Sequence, residues 1–175
     1  MGKLYKMLFL LILSVFYIES MGDTMWAGNM DKKSMEKIYS EVYISNTIHS
    51  VQVYIAIKKY CKIYNVPEIY AFRVARIESG WKGPIHLNYC ASDKISSANA
   101  YGAMQVLLST GQDVWKDKSI TKERLLTDVD FNVHTGIKYM RQLYDGQCHS
   151  NWPKVFAYYN TGYVELNDYA LNVIQ

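Results

Sequence analysis

Apolar positions recur at three- and four-residue steps through most of this chain, with polar positions filling the opposite faces. That period predicts helices. Met35, Ile38, Tyr39 and Val42 mark one from Asp31 onward. A second is expected from Ile48 to Tyr64, with Val51, Tyr54, Ile55 and Ile57 inward and Lys58, Lys59 and Lys62 outward. A third ends at Ser79. Pro67 suits its first turn, where a missing N–H matters least, and Gly80 suits the left-handed position beyond its end. Met104 to Trp115, a turn at Thr121 to Leu126, Asp130 to Tyr144, Trp152 to Asn160 and Tyr163 to Ile174 complete a mainly helical set. No strand run, internal repeat or domain linker stands out, and 175 residues predict one domain.

Two stretches depart from the pattern. From Lys82 to Tyr101 there is no periodicity, and a loop of that length in a compact domain is usually functional. Near the start, Lys3 and Lys6 precede an apolar run from Met7 to Ile18. A charged start before a short apolar run predicts a secretory signal peptide over residues 1–22. Ser20-Met21-Gly22 supplies the small residues for cleavage, with Ala27 as another junction. The run is short for a membrane span of about 20 residues, so an uncleaved anchor is the second reading. Residues 23–54 then read as an N-terminal helical extension, ahead of a domain over residues 55–175.

Export changes the meaning of the three cysteines, Cys61, Cys90 and Cys148. Cys90 and Cys148 both read as loop residues and are the favoured disulfide, although three pairings are open. Cys61 sits in a helical pattern and reads as a buried thiol. A net charge of +3 without a basic run gives little support for nucleic acid as partner. The four histidines lack ligand spacing, so no metal is expected, and no glycine loop points to a phosphate cofactor.

Candidate chemistry begins at Glu78. At about 100° per residue, Ala71, Val74, Ala75 and Glu78 fall in one narrow arc, while Arg73 and Arg76 point the other way. Glu78 is thus the one acid on a small apolar stripe, at the negative end of its helix. Desolvation and the helix dipole both disfavour its ionised form, which marks a candidate general acid. The plain alternative is a helix-end acid whose carboxyl reaches water. On the helix from Asp130, Asn132, Gly136, Tyr139 and Leu143 share a face. A mid-helix Gly there costs roughly 1 kcal/mol against Ala and points to a close approach. A buried Asn132 would need hydrogen-bond partners.

Four segments then occur in order: Glu78-Ser79-Gly80, Gly102-Ala103-Met104-Gln105, Asn132-xxx-Gly136-xx-Tyr139 and Tyr159-Asn160-Thr161-Gly162. Together they resemble the catalytic domain of the soluble lytic transglycosylases, across roughly Ile55 to Gly162. That family reads Glu-Ser, Gly-Leu-Met-Gln, Asn-xxx-Gly-xx-Tyr-Leu and Ala-Tyr-Asn-x-Gly. This chain departs at Ala103, Met140 and Tyr158, and the segment holding Cys90 looks like an insertion. The resemblance implies a lysozyme-like (goose-type lysozyme) single domain. It also implies cleavage of the β-1,4 bond from N-acetylmuramic acid to N-acetylglucosamine in peptidoglycan, with a 1,6-anhydro product. Glu78 would be the acid and Tyr159 would orient it. Gln105 and Asn160 would contact sugar, Ser79 a neighbouring amide group, and Met104 would line the groove. Gly102, Asn132, Gly136, Tyr139 and Gly162 are the structural motif residues.

Small size and a leader suggest the members that serve secretion, conjugation or pilus machines, periplasmic or secreted and acting as monomers. Three alternatives stay open. One is a lysozyme-type hydrolase, which needs a second carboxylate; Asp93 and Asp113 are the candidates without motif support. The others are a non-enzymatic wall-binding assembly protein and a phage-encoded wall enzyme.

Overall fold

The computed structural model describes residues 48–175. The expected leader, its cleavage junction and the helix expected from Asp31 lie outside the described residues. Within them the helices are α1 (His49–Tyr64), α2 (Glu68–Ser79), α3 (Leu108–Trp115), α4 (Lys122–Thr127), α5 (Val129–Asp145), α6 (Trp152–Thr161) and α7 (Asp168–Ile174). Between α2 and α3 lie a 3-10 turn at Ala91–Asp93 and a small antiparallel hairpin of β1 (Ala100–Tyr101) and β2 (Val106–Leu107).

Helix α5 is the central post. Phe131, Val133, Ile137, Met140 and Leu143 are buried along it, and α1 packs on it most extensively. Each such side chain taken fully from water contributes about 1.5–3 kcal/mol. Local chemistry sets the helix starts. The Thr121 hydroxyl accepts from Arg124 N–H, the Asp128 carboxylate from Phe131 N–H, the Asn151 side chain from Lys154 N–H and the Asn167 side chain from Ala170 N–H. Each satisfies one of the amide donors a helix start leaves free. At the other end, α2 and α6 stop at Gly80 (φ 72°) and Gly162 (φ 79°), both left-handed.

Three expectations need correction. The inward stripe of α1 is Val53, Ala56, Ile57, Tyr60 and Cys61, while Val51, Tyr54 and Ile55 are only half-buried. Three of those five positions hold Ala, Tyr and Cys, so weighting by apolar bulk misplaced the face. Met104 and Gln105 are not helical: Gly102 (φ 75°) and Gln105 (φ 47°) are left-handed, and the helix starts only at Leu108. The last helix begins at Asp168, where Asn167 caps it, and not at Tyr163.

Candidate active site

Along α2, Ala71, Val74 and Ala75 are fully buried and Glu78 is half-buried on the same stripe, one residue before the helix ends. The Tyr169 hydroxyl on α7 donates to Glu78 Oε1 at 2.5 Å. Burial raises the Glu78 pKa and the tyrosine bond, which favours the ionised form, lowers it; burial wins, so the carboxyl sits above its ordinary range. Among the described residues no cation stands within ion-pair distance of it. Arg73, expected on the other face, has a structural partner there. It is half-buried and its Nη1 donates to Val173 O at 3.0 Å, tying α2 to the helix that carries Tyr169.

The motif residues from three elements close into one network beside the acid. Asn132 is buried and fully engaged: Nδ2 donates to Tyr101 O (2.7 Å) and Leu125 O (2.9 Å), and Oδ1 accepts from Met104 N–H (2.9 Å). It therefore staples both sides of the turn after β1 to α5. Gly102 must be glycine twice over. Its φ is left-handed, and a Cβ there would lie 2.5 Å from Asn132 Nδ2 and 2.8 Å from Leu125 O. The close approach expected at Gly136 is real. A Cβ would stand 2.7 Å from Met104 Cβ and 3.1 Å from the Tyr159 hydroxyl. That hydroxyl donates to Met104 O at 2.7 Å, and the Tyr159 ring lies 5.5 Å from that of Tyr139.

The expected roles divide accordingly. Tyr159 does not reach Glu78 by a hydrogen bond; its only hydroxyl proton goes to Met104 O, and its pKa is raised, first by burial and then by the nearby Glu78 charge. Met104 does not line an open groove. It is wholly buried, filling the space that Gly136 leaves. Gln105 spends Nε2 on Lys94 O (3.1 Å) and Gly102 O (2.9 Å), bracing its own loop. The Ser79 hydroxyl is buried and donates to Ala75 O (2.9 Å), the capping role, and it meets the Tyr89 hydroxyl at 2.7 Å. Asn160 is exposed at the end of α6, and Tyr158, in place of the family's Ala, is half-buried.

The disulfide expectation is corrected too: Cys61, Cys90 and Cys148 are all free thiols. Cys148 is buried in the core, whereas Cys90 Sγ faces Ser92 Oγ at 3.1 Å inside the loop. Sequence reasoning missed Tyr169 as the partner of Glu78. Its signal was faint: an Asn167 cap followed by Tyr169, Ala170 and Val173 on one face of a short helix. Among the described residues no group of His, Cys, Asp and Glu is arranged to hold a metal ion.

A family model described as the Transglycosylase SLT domain matches residues 55–173. Among solved structures the chain is similar to an inactive Glu-to-Gln mutant of the lytic transglycosylase Slt from Pseudomonas aeruginosa. Identity is 22%, 62% of this chain and 16% of that one are covered, and the TM-score is 0.51. It is also similar to the 70 kDa soluble lytic transglycosylase SLT70 from Escherichia coli, at 22% identity, over 77% of this chain and 24% of that one, with a TM-score of 0.52. The chain thus spans a quarter or less of the length of these two proteins, and the likeness is one of fold. No curated protein matches it. With its family match running from within α1 into α7 on a mainly helical, lysozyme-like fold, the chain belongs to the transglycosylase SLT domain family.

Proposed function

We propose that this chain is a peptidoglycan lytic transglycosylase that uses Glu78 as its single acid and base. The observation that carries the reading is the environment of that carboxyl: desolvated on an apolar stripe, without a cation beside it among the described residues, and held by Tyr169. A raised pKa keeps more of Glu78 protonated at a given pH than an ordinary glutamate, as a general acid requires. Protonated Glu78 gives its proton to the glycosidic oxygen as the bond to C1 of the muramic sugar breaks. The C6 hydroxyl oxygen of the same sugar then attacks C1, and its proton passes to the Glu78 carboxylate. A 1,6-anhydro end forms, no water is consumed, and the acid is regenerated. Attack within one ring gains effective concentration, so a second carboxylate is unnecessary.

The hydrolase reading has less support. Asp93 and Asp113 are both exposed, Asp113 is paired with Lys118 at 2.8 Å, and neither contributes to the shift of Glu78. In this reading Asn160, exposed beside the network, is the motif side chain free to meet sugar, while Ser79, Met104 and Gln105 shape the site through the contacts they already make. Residues 1–22 would direct the protein out of the cytoplasm, to act in the periplasm or outside the cell as a monomer alongside a secretion, conjugation or pilus machine. No described helix is long and apolar enough to cross a membrane. The test is mass spectrometry of purified peptidoglycan digested by the protein. Muropeptides lighter by one water at the muramic end are expected. Reducing ends would establish hydrolysis instead, and an absence of products would leave a binding role.

A further inference from the structure

Glu78 stands one residue from the end of α2, where helices fray because the last carbonyls lack partners. A catalytic carboxyl there needs its helix end held. Gly80 N–H closes on Arg76 O at 3.0 Å, Tyr169 holds the Glu78 carboxyl itself, and a further hold comes from the loop between α2 and β1. The Ser79 hydroxyl has one proton, and it goes to Ala75 O. The Tyr89 hydroxyl, 2.7 Å from Ser79 Oγ, must therefore be the donor of that second bond. Tyr89 is itself buried, and burial pushes its pKa up to about 12, so it remains a donor throughout any working range. Its loop is fixed in turn to the start of α1. Trp81 Nε1 donates to Ser50 O (3.0 Å), the Ser50 hydroxyl to Pro84 O (3.0 Å), and Ala91 N–H to His49 Nδ1 (2.9 Å). The Trp81 ring stacks 5.6 Å from Phe72 on α2.

We infer that Tyr89 is a positioning residue for the acid: through Ser79 it clamps the end of α2, and the inserted loop, anchored on His49 and Ser50, is the arm of the clamp. The inference rests on the reading of Glu78 as the acid. It assigns a mechanical part in catalysis to a loop whose length alone said only that it is functional. The chain runs Tyr89 hydroxyl, Ser79 hydroxyl, Ala75 carbonyl, so removing either hydroxyl breaks the same hold.

The test compares the full-length wild type with Tyr89→Phe, Ser79→Ala and the double variant on solubilised glycan strands. Phenylalanine keeps the buried ring and removes only the bond. Each single change is expected to lower kcat about tenfold with KM within roughly twofold, since a misplaced acid loses rate rather than ground-state binding. The double variant should lose no more than either single, because both act on one connection. Losses that multiply, or a change in KM alone, would overturn the clamp. Hydrogen exchange at the Gly80 amide reads the hold without turnover. It should quicken roughly fivefold in Tyr89→Phe while α5 amides stay as they were. An inactive wild type with that exchange effect would sink the transglycosylase reading and keep the clamp. An active wild type whose Tyr89→Phe variant keeps its kcat would do the reverse.

Discussion

Among the described residues two carboxylates receive a tyrosine hydroxyl at 2.5 Å, in opposite electrostatic surroundings. Tyr169 donates to Glu78 beside the motif network, and Tyr60 donates to Asp130 where α1 meets α5. Around Asp130 the Lys59 ammonium lies 3.5 Å away and the neighbouring Tyr60 ring stacks on His134 at 3.8 Å. Around Glu78 there is apolar helix and no cation among the described residues. The same hydrogen bond thus belongs to an ion-pair cluster in one place and to a desolvated acid in the other. What separates them is the counter-charge, present at Asp130 and lacking at Glu78 among the described residues, where burial raises the pKa and the Tyr169 bond lowers it.

The comparison breaks first at the acids themselves. Glu78→Gln keeps shape and removes the proton; lytic activity should fall by about a thousandfold or more, with the thermal midpoint held or raised, since a partly desolvated carboxylate without a counter-charge is gone. Asp130→Asn should leave activity within about twofold. Turnover assays on the two variants, with circular dichroism melts, decide the matter. Comparable activity losses in both would mean that Glu78 is only another structural carboxylate.

The tyrosines sharpen it. Tyr169→Phe removes the one contact that favours ionised Glu78, so the carboxyl pKa should climb further. The alkaline limb of the rate profile, where Glu78 loses its proton, should then move to higher pH, while kcat falls about tenfold through poorer orientation. Tyr60→Phe should leave the limb where it is. A limb that stays fixed in Tyr169→Phe would show that the acid is held by something else.

How much of this was legible in the sequence follows from the range of the forces involved. Helix α2 with Glu78 on its apolar stripe could be read because period, proline start and glycine stop are local signals. The motif residues Gly102, Asn132 and Gly136 could be named from their order, but their physical reasons are tertiary. Asn132 spans 31 positions to Tyr101 O and 28 to Met104 N–H, and Gly136 is required by Met104 and Tyr159 from other elements. The partner of Tyr159, the Met104 carbonyl, was illegible for the same cause. Sixteen tyrosines offer many hydroxyls, and only packing decides that Tyr169, 91 positions from Glu78, reaches it while Tyr159 bonds a backbone carbonyl. The free cysteines teach a related lesson: a loop-like sequence around Cys148 said nothing of its burial against the core.

The smallest expected effect concerns stability and turns the comparison from activity to pH. His134, beside Asp130, is stacked on Tyr60, lies edge-on to Trp115 at 4.7 Å and has Nε2 2.7 Å from the Tyr64 hydroxyl. Burial pushes its pKa down to about 4, with Asp130 opposing and Lys138 and Lys59 assisting. Between that value and an ordinary histidine value of about 6.5, the unfolded chain holds more protons than the folded one. Stability therefore falls as pH drops through this window. Glu78 acts in the opposite sense: its raised pKa means the folded state holds the extra proton, so acidification relieves its burial. Urea unfolding at pH 7 and pH 4.5 separates the two. His134→Gln should flatten the loss of stability on acidification, and Glu78→Gln should steepen it, because the contribution that opposes His134 is removed. If His134→Gln kept the wild-type pH slope, the aromatic cluster would have to be protonating without penalty, and burial would not distinguish the two sites as argued.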